Sequence, residues 1–304
     1  MSTDKQIKLE ILRTNLEKKI LQHCTEIGKQ NTKIDGLMIS RQENKGTLEN
    51  CFYTPTVGVI IQGCKYSRIG NDEYNYGALH CMVAGVDMPS LYRLTEASPE
   101  KPFLAISLGL DRYLIAQLIA EMQPSSTFYS VKKSFKGVVV AKVELEILDA
   151  FSRLIDLIDY PDQIPVIAPL IKRELHYRLL LGFHGEWLRE INTLGTQSNQ
   201  IAKAISWLRK NYREPLLVEN LAEQVNMAPS TFHRHFRQVT TLSPIQFQKR
   251  LRLYEAQRLM LTSSLDASSA AMTVGYESIS QFNREYKRLF GEPPFRNILH
   301  LRDK

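Results

Sequence analysis

Residues 232–244 read Phe-His-Arg-His-Phe-Arg-Gln-Val-Thr-Thr-Leu-Ser-Pro, and residues 282–294 read Phe-Asn-Arg-Glu-Tyr-Lys-Arg-Leu-Phe-Gly-Glu-Pro-Pro. Laid over one another without a gap, they match at Phe232/Phe282, Arg234/Arg284, Phe236/Tyr286, Arg237/Lys287, Val239/Leu289 and Pro244/Pro294. A single Phe-x-Arg-x-aromatic run carries little information. Its return fifty residues later, with the proline in register, marks a duplicated structural unit.

The residues leading into each copy say what the unit is. Leu221 and Ala222 precede Asn226 in the first, and Ala270 and Ala271 precede Gly275 in the second. Asn and Gly tolerate the left-handed backbone of a sharp turn between helices. Ala222 and Ala271 are small enough to let two helices cross closely. A short helix, a tight turn and a second helix form a helix-turn-helix, whose second helix enters the DNA major groove. The chain is expected to carry two.

The charge distribution points the same way. The chain of 304 residues has a formal net charge of +7, yet residues 1–195 balance at 23 basic and 23 acidic side chains. Residues 196–304 hold 16 basic and 9 acidic, so the whole excess lies with the duplicated motif. A basic third beside a neutral two-thirds fits one module facing polyphosphate and another facing something else. The length suggests about two domains, and 43% hydrophobic with 23% charged residues is ordinary for a globular protein. No apolar run approaches the ~20 residues of a membrane span, and the first residues do not resemble a signal peptide. The four cysteines, at 24, 51, 64 and 81, have no Cys-x-x-Cys spacing. Zinc sites and disulfide frameworks are therefore not expected, and the reading is of a reduced, cytoplasmic protein without membrane contact.

Along the chain, Ile7, Leu12, Leu16, Ile20 and Leu21 predict a leading helix within residues 5–30. Short β-rich runs follow at 37–40, 57–62, 65–69, 73–76, 79–84, 91–95 and 103–107. Gly63, Gly70 and Gly77 fall where hairpin turns would want them. This texture predicts a small antiparallel barrel or sandwich. Helices are expected over 110–122, over a long stretch at 138–160 stopped by Pro161, and over 164–181 and 183–191. These middle helices form a connector and a possible dimer interface. Residues 194–199 read as a linker. The expected division is a leading helix and sensor barrel over 1–135, a connector over 136–195, and a DNA-binding domain over 196–304. Within the last, Ser243 and Pro244 should start a long helix separating the two motifs, and Asp266 and Ser278 should cap later helices. A helix of about 18 residues is ~27 Å long, which lets both motifs dock in successive major grooves.

Phe232 and Phe236 form an i, i+4 pair that should face the core, as should Phe282 and Tyr286. Ser230, His233, Arg234 and Arg237 are left outward on the first recognition helix. Ile279, Ser280, Gln281 and Arg284 are left outward on the second. Arg can fork onto guanine, Gln can pair with adenine, and Ile279 can meet a thymine methyl. The alternative, less favoured than base or groove contact, makes the two arginines phosphate clamps or intradomain ion-pair partners. His233 and His235, two residues apart, lie on opposite sides of a helix and make no metal site. Cys51, Cys64 and Cys81 read either as electrophile or oxidant sensors or, more commonly, as small buried hydrophobes.

The C-terminal residues resemble the AraC/XylS family of bacterial transcriptional regulators. The resemblance rests on Arg252-Leu-x-x-Ala256-x-x-Leu259, on Val274-Gly275-Tyr276-Glu-Ser278, and on Arg284-x-Tyr286-Lys287-x-x-Phe290-Gly291-x-x-Pro294. The first half resembles the subfamily with an AraC-type regulator N-terminus. Its marks are Val59-Ile-Ile-Gln62-Gly63-Cys-Lys65, Asp87-Met-Pro89 and Thr95-Glu96-Ala97-Ser98-Pro99. The implied fold is α+β: an N-terminal cupin-like β-barrel, a helical connector, and a C-terminal all-α domain with two helix-turn-helix motifs. The resemblance implies base-edge reading by Ser230, His233 and Arg234. It also implies a small-molecule or stress effector in the barrel, double-stranded DNA and RNA polymerase as partners, a homodimer, and action as an activator. The chain departs from the family pattern at Ala228, where a Ser cap is common, at Thr241 opposite Gly291, and at Ala267 and Ala270. Metal-dependent cupin enzymes carry a His-x-His…Glu…His cluster, but only His80 lies between Gly36 and Gly109. Alkyltransferases that share such a DNA-binding domain need a zinc-bound cysteine cluster. No catalytic residue, metal ligand or cofactor is therefore expected, and the chain is read as no enzyme.

Overall fold

The computed structural model describes residues 3–122, 136–183 and 185–302. The expected domain boundary at residue 135 lies outside them. Contacts divide the chain into two compact units, one ending at Asn199 and the other beginning at Gln200.

The first unit opens with helix α1 (Thr3–His23). Leu9, Leu16 and Ile20 bury one stripe, while Ile7 and Ile11 stay exposed. The helix runs just past Leu21, the last of its apolar positions, and Gly28, with a left-handed φ of 129°, opens strand β1 (Gly28–Asn31). Nine further strands follow: β2 (Leu37–Gln42), β3 (Glu49–Tyr53), β4 (Thr56–Gln62), β5 (Cys64–Ile69), β6 (Asp72–Gly77), β7 (His80–Ala84), β8 (Met88–Glu96), β9 (Phe103–Gly109) and β10 (Val138–Lys142). They form a six-stranded sheet, β1-β2-β9-β4-β7-β10, and a four-stranded sheet, β3-β8-β5-β6, with antiparallel pairing throughout. Two facing sheets of this kind are the double-sheet solution that cupin-type folds adopt.

One hairpin turn falls where the glycines predict, at Gly70 (φ 61°), which turns β5 into β6. Gly63 (φ 81°) instead carries the chain from β4 to β5, which lie in different sheets, and the third glycine makes no hairpin turn. Leu79 (φ 61°) carries the left-handed residue. Gly77 is needed for close approach instead, since a Cβ there would meet Cys64 Sγ at 2.5 Å.

Helix α2 (Arg112–Glu121) is capped by Asp111, whose side chain accepts the Tyr113 and Leu114 amides. The long helix expected from residue 138 is corrected. Residues 138–142 are strand β10, paired along β7, and the helix α3 (Leu145–Asp156) starts only after it. The valines of β10 fit either period, and pairing with β7 decides for strand. Helices α4 (Ile164–Leu181) and α5 (Gly185–Asn192) complete the layer. Here α1 packs on α3, α3 on α4, and α4 on α2 and α5. Buried Phe151, Leu154, Leu175, Leu179 and Leu188 form the seam.

The second unit is helical: α6 (Gln197–Lys210), α7 (Val218–Gln224), α8 (Pro229–Thr240), α9 (Pro244–Thr262), α10 (Ala267–Thr273), α11 (Ile279–Phe290) and α12 (Pro294–Arg302). Residues 194–199, expected as linker, are a turn about Gly195 (φ 84°) followed by the start of α6. Among the described residues, no helix is long and apolar enough to cross a membrane.

Candidate nucleic-acid interface and barrel cavity

Helices α7 and α8 form the first helix-turn-helix. Ala222 is fully buried at the crossing, and its carbonyl accepts the Met227 amide at 2.9 Å. Asn226 makes the turn at φ 56°. The second motif repeats this with α10 and α11. There the Ala271 carbonyl accepts the Tyr276 amide at 3.0 Å, and Gly275 turns at φ 91°. The repeat differs by one residue, Glu277, which lengthens the second turn before its helix cap. At Gly275 no side chain fits, because a Cβ would overlap the Arg213 carbonyl.

The caps separate the two copies. Ser278 Oγ accepts the Gln281 amide at 3.2 Å, whereas Ala228 provides no side-chain cap. Thr241 ends α8 at φ 61° and Gly291 ends α11 at φ 84°. Only the glycine does so without Cβ strain. Between the motifs, Ser243 and Gln246 form a reciprocal capping box at the start of α9. Its 19 residues make it about 28 Å long.

The aromatic residues lock each recognition helix. The Phe232 and Phe236 rings lie 5.5 Å apart, and Phe236 meets Phe247 of α9 edge-on at 5.6 Å. Phe282 and Tyr286 also lie 5.5 Å apart, and the Tyr286 hydroxyl donates to Asn297 Oδ1 at 2.9 Å. With those faces committed to the core, Ser230, His233, Arg234 and Arg237 of α8 are exposed, as are Ile279, Ser280 and Arg284 of α11. Gln281 differs from its expected free outward position. It is half-buried, and its Nε2 donates to Glu285 Oε1 at 3.0 Å. Asn283, Lys287 and Arg288 are exposed beside the named residues of α11, though they were not singled out above. Their signal was present in the sequence, since positions 280, 283, 284 and 287 share one helical face.

Arg252 of α9 joins the two motifs. Its guanidinium donates to the carbonyls of Tyr212 (2.7 Å), Arg213 (3.0 Å), Glu214 (3.0 Å) and Gly275 (2.7 Å). Burial pulls its pKa below the ordinary arginine value, against the raising influence of its neighbours Tyr276, Glu277 and Glu285.

The first unit holds a partly open cavity of about 160 Å³ between its sheets. Its walls are mostly apolar, with Met82, Leu94, Phe103 and Ile106 among them. Lys65 enters it, its Nζ lying 4.3 Å from the Tyr92 ring centroid and 5.3 Å from that of Tyr53. Among the described residues, Lys65 has these aromatic partners and no carboxylate at ion-pair distance. Tyr53 and Tyr76 both approach Ser67 Oγ at 3.4 Å. Desolvation drives the hydroxyls of Tyr53, Tyr76 and Tyr92 well above the ordinary tyrosine range, so they stay neutral. Burial also pushes the Cys64 thiol up to about 11 and Cys81 to about 12. Cys81 is a buried small hydrophobe, while Cys64 is half-buried, and in both the shift is away from the thiolate. Among the described residues, no group of three His, Cys, Asp or Glu could hold a metal ion.

Residues 33–187 match the family model described as the AraC-type transcriptional regulator N-terminus. Residues 221–296 match a helix-turn-helix domain. The chain is 28% identical over 100 residues to the transcriptional activator RhaS of Pectobacterium atrosepticum, a match covering 33% of this chain. That stretch spans 36% of the relative's own length. Among solved structures, an apo ToxT variant from Vibrio cholerae aligns with a TM-score of 0.56 at 9% identity, covering 88% of this chain and 99% of that one. Wild-type ToxT bound to an unsaturated fatty acid aligns at a TM-score of 0.51 and 10% identity, covering 88% and 97%. At such identities the likeness is one of fold.

Proposed function

The chain belongs to the family of AraC-type transcriptional regulators, and from that premise we propose that it is an effector-controlled, sequence-specific DNA-binding protein. Recognition helices α8 and α11 enter successive major grooves of double-stranded DNA. The observation that carries this reading is the doubled helix-turn-helix, each copy with its aromatic face buried and Arg234 or Arg284 exposed opposite. Ser230, His233, Arg234, Ile279, Ser280, Gln281 and Arg284 are the base or groove contacts of this reading, with Arg237 beside them. Binding by the full chain should weaken steeply with salt, at a log–log slope of about 0.9 per neutralised phosphate. Affinity flat between low and physiological salt overturns the reading.

The barrel cavity takes the effector. Lys65 is a cation held against the Tyr92 and Tyr53 rings with no carboxylate within ion-pair distance among the described residues, Glu49 being bonded instead to the Tyr92 hydroxyl, and this suits an organic carboxylate. The unsaturated fatty acid bound by ToxT is itself a carboxylate. The cavity is close to the roughly 150 Å³ that accepts a benzene-sized ring, so a short or single-ring acid fits best. Calorimetry with benzoate against benzamide tests this: benzoate should bind, benzamide should not, and Lys65→Met should abolish the difference. The effector then biases the population competent for DNA.

The remaining parts of this reading are a homodimer, contact with RNA polymerase, activation as the sign of regulation, and a cytoplasmic location without enzymatic activity. Val166, Leu170 and Leu181, exposed along α4, support a dimer face in the helical layer. Four free cysteines support a reducing compartment.

A further inference from the structure

The half-buried state of Gln281 leads to Glu285, one turn further along α11. The Glu285 carboxylate receives three donors. Lys249 Nζ of α9 reaches Oε1 at 2.6 Å, Gln281 Nε2 reaches the same oxygen at 3.0 Å, and the Tyr276 hydroxyl reaches Oε2 at 2.8 Å. The Glu285 side chain is 19% exposed.

An ionised carboxylate only accepts hydrogen bonds, so the Gln281 amide must turn its NH2 group toward Glu285. The opposite rotation would set the amide oxygen against a carboxylate oxygen. An ordinary surface glutamine has no such constraint, and its oxygen and nitrogen exchange places freely. Here the orientation is fixed. One N–H is spent on Glu285, which leaves the carbonyl oxygen and the second N–H as the edge free to meet DNA. Adenine presents the complement of that edge in the major groove, an N6–H donor beside the N7 acceptor. Guanine presents two acceptors, O6 and N7, and one would face the glutamine oxygen.

We infer that Glu285, braced by Lys249 and Tyr276, is a specificity-determining positioning residue that fixes Gln281 as a reader of adenine. Glu285 touches no base in this arrangement and acts through the amide it orients. Its ionised state is supported by its surroundings: burial alone would raise its pKa, and the hydrogen bonds from Lys249, Gln281 and Tyr276 bring it below the ordinary glutamate value. The inference rests on the reading that α11 lies in the major groove.

The test is selection of bound duplexes from a random pool by the full-length chain and its variants. A bidentate amide–adenine pair carries about 5- to 150-fold discrimination. Gln281→Ala should erase an adenine preference at one position of the site. Glu285→Ala should lower the preference at that same position roughly threefold or more and leave the other positions as in wild type. If Gln281→Ala relaxes no position, the groove reading of Gln281 fails and takes this inference with it. If Gln281→Ala relaxes a position but Glu285→Ala keeps the wild-type preference there, only the inference is overturned. It is also overturned if the relaxed position is not adenine, or if Glu285→Ala weakens all sequences equally, as a merely structural residue would. Should Glu285→Ala fail to fold, Glu285→Gln retains an acceptor for Tyr276 and similar volume. Its neutral amide no longer dictates the Gln281 orientation, so partial relaxation at the adenine position is expected, and wild-type preference there overturns the inference.

Discussion

Arg252 Nη1 donates to the carbonyl oxygen of Gly275 at 2.7 Å, tying the helix between the two motifs to the turn of the second. The same guanidinium holds the carbonyls of residues 212–214, the loop that leads to the first motif. One planar fork thus fixes two turns from a single position on α9. An ammonium group cannot reproduce that geometry. Arg252→Ala should destabilise the second unit by about 2–3 kcal/mol, the range for losing charge-assisted bonds to partly buried carbonyls. Arg252→Lys should recover only part of the loss. Urea unfolding followed through the helical signal checks both variants, and full rescue by lysine would show that charge alone suffices.

The uncapped start of α8 makes a second prediction. Ala228 has φ −64° and ψ 140°, the backbone of a helix cap, but no side-chain oxygen for the free amides. Ser243, Asp266 and Ser278 supply that oxygen at the corresponding ends of α9, α10 and α11. Ala228→Ser should therefore stabilise the second unit by about 0.5–2 kcal/mol. An unchanged or lower unfolding midpoint would count against a serine cap forming there.

His176 predicts a pH dependence in the first unit. Its Nε2 accepts the Asp111 amide at 3.0 Å while Nδ1 donates to the Lys172 carbonyl at 2.7 Å, so the ring is held neutral. Burial lowers its pKa from the ordinary histidine value, only partly opposed by the Lys172 carbonyl and Asp111. With the folded pKa depressed, the unfolded chain binds the extra proton first as pH falls. Stability from this group is complete above about pH 6.5 and declines below it, by up to ~1.4 kcal/mol per pH unit. His176→Gln keeps an acceptor for Asp111 but cannot titrate. Comparing the two proteins at pH 7.5 and 5.5 should show the steeper loss in wild type. Parallel losses would assign the pH dependence to other groups.

These features were unequally legible in the sequence. Seven strands announced themselves through β-branched runs and glycine turns. Strands β1 and β3 did not, because Gly28–Asn31 is a polar edge with no apolar alternation and Glu49–Tyr53 has no β-branched residue. Strand β10 was hidden because Val138, Val140 and Val143 also fit a helical period leading to Ile147. Both recognition helices were legible from local spacing alone, since an aromatic i, i+4 pair commits one face and thereby exposes the other. Arg252 was visible as part of a family pattern, but nothing nearby in sequence indicated that it clamps residues 212–214. The Gln281–Glu285 pair is four residues apart on one helix and so is local. Its bracing by Lys249 was hidden, since Lys249 lies 36 positions before Glu285 and is brought alongside by the packing of α9 against α11.

The last prediction separates the two motifs. Arg234 and Arg284 occupy equivalent places on α8 and α11, both exposed and both opposite an aromatic pair packed into the core. Replacing either with alanine should therefore leave the fold intact and weaken specific binding. If each arginine forks onto a guanine, the loss should be about 1–3 kcal/mol, with relaxed preference at a single position. Helices docked in successive grooves read bases about one helical turn apart, so the two relaxed positions should be separated by ~10 base pairs. Phosphate clamps would behave differently, weakening all sequences alike and reducing the salt slope by about one contact. Selection from a random pool with wild type, Arg234→Ala and Arg284→Ala distinguishes these outcomes. If both variants lose affinity yet keep the wild-type preference at every position, the arginines hold the backbone, and sequence is read by their neighbours.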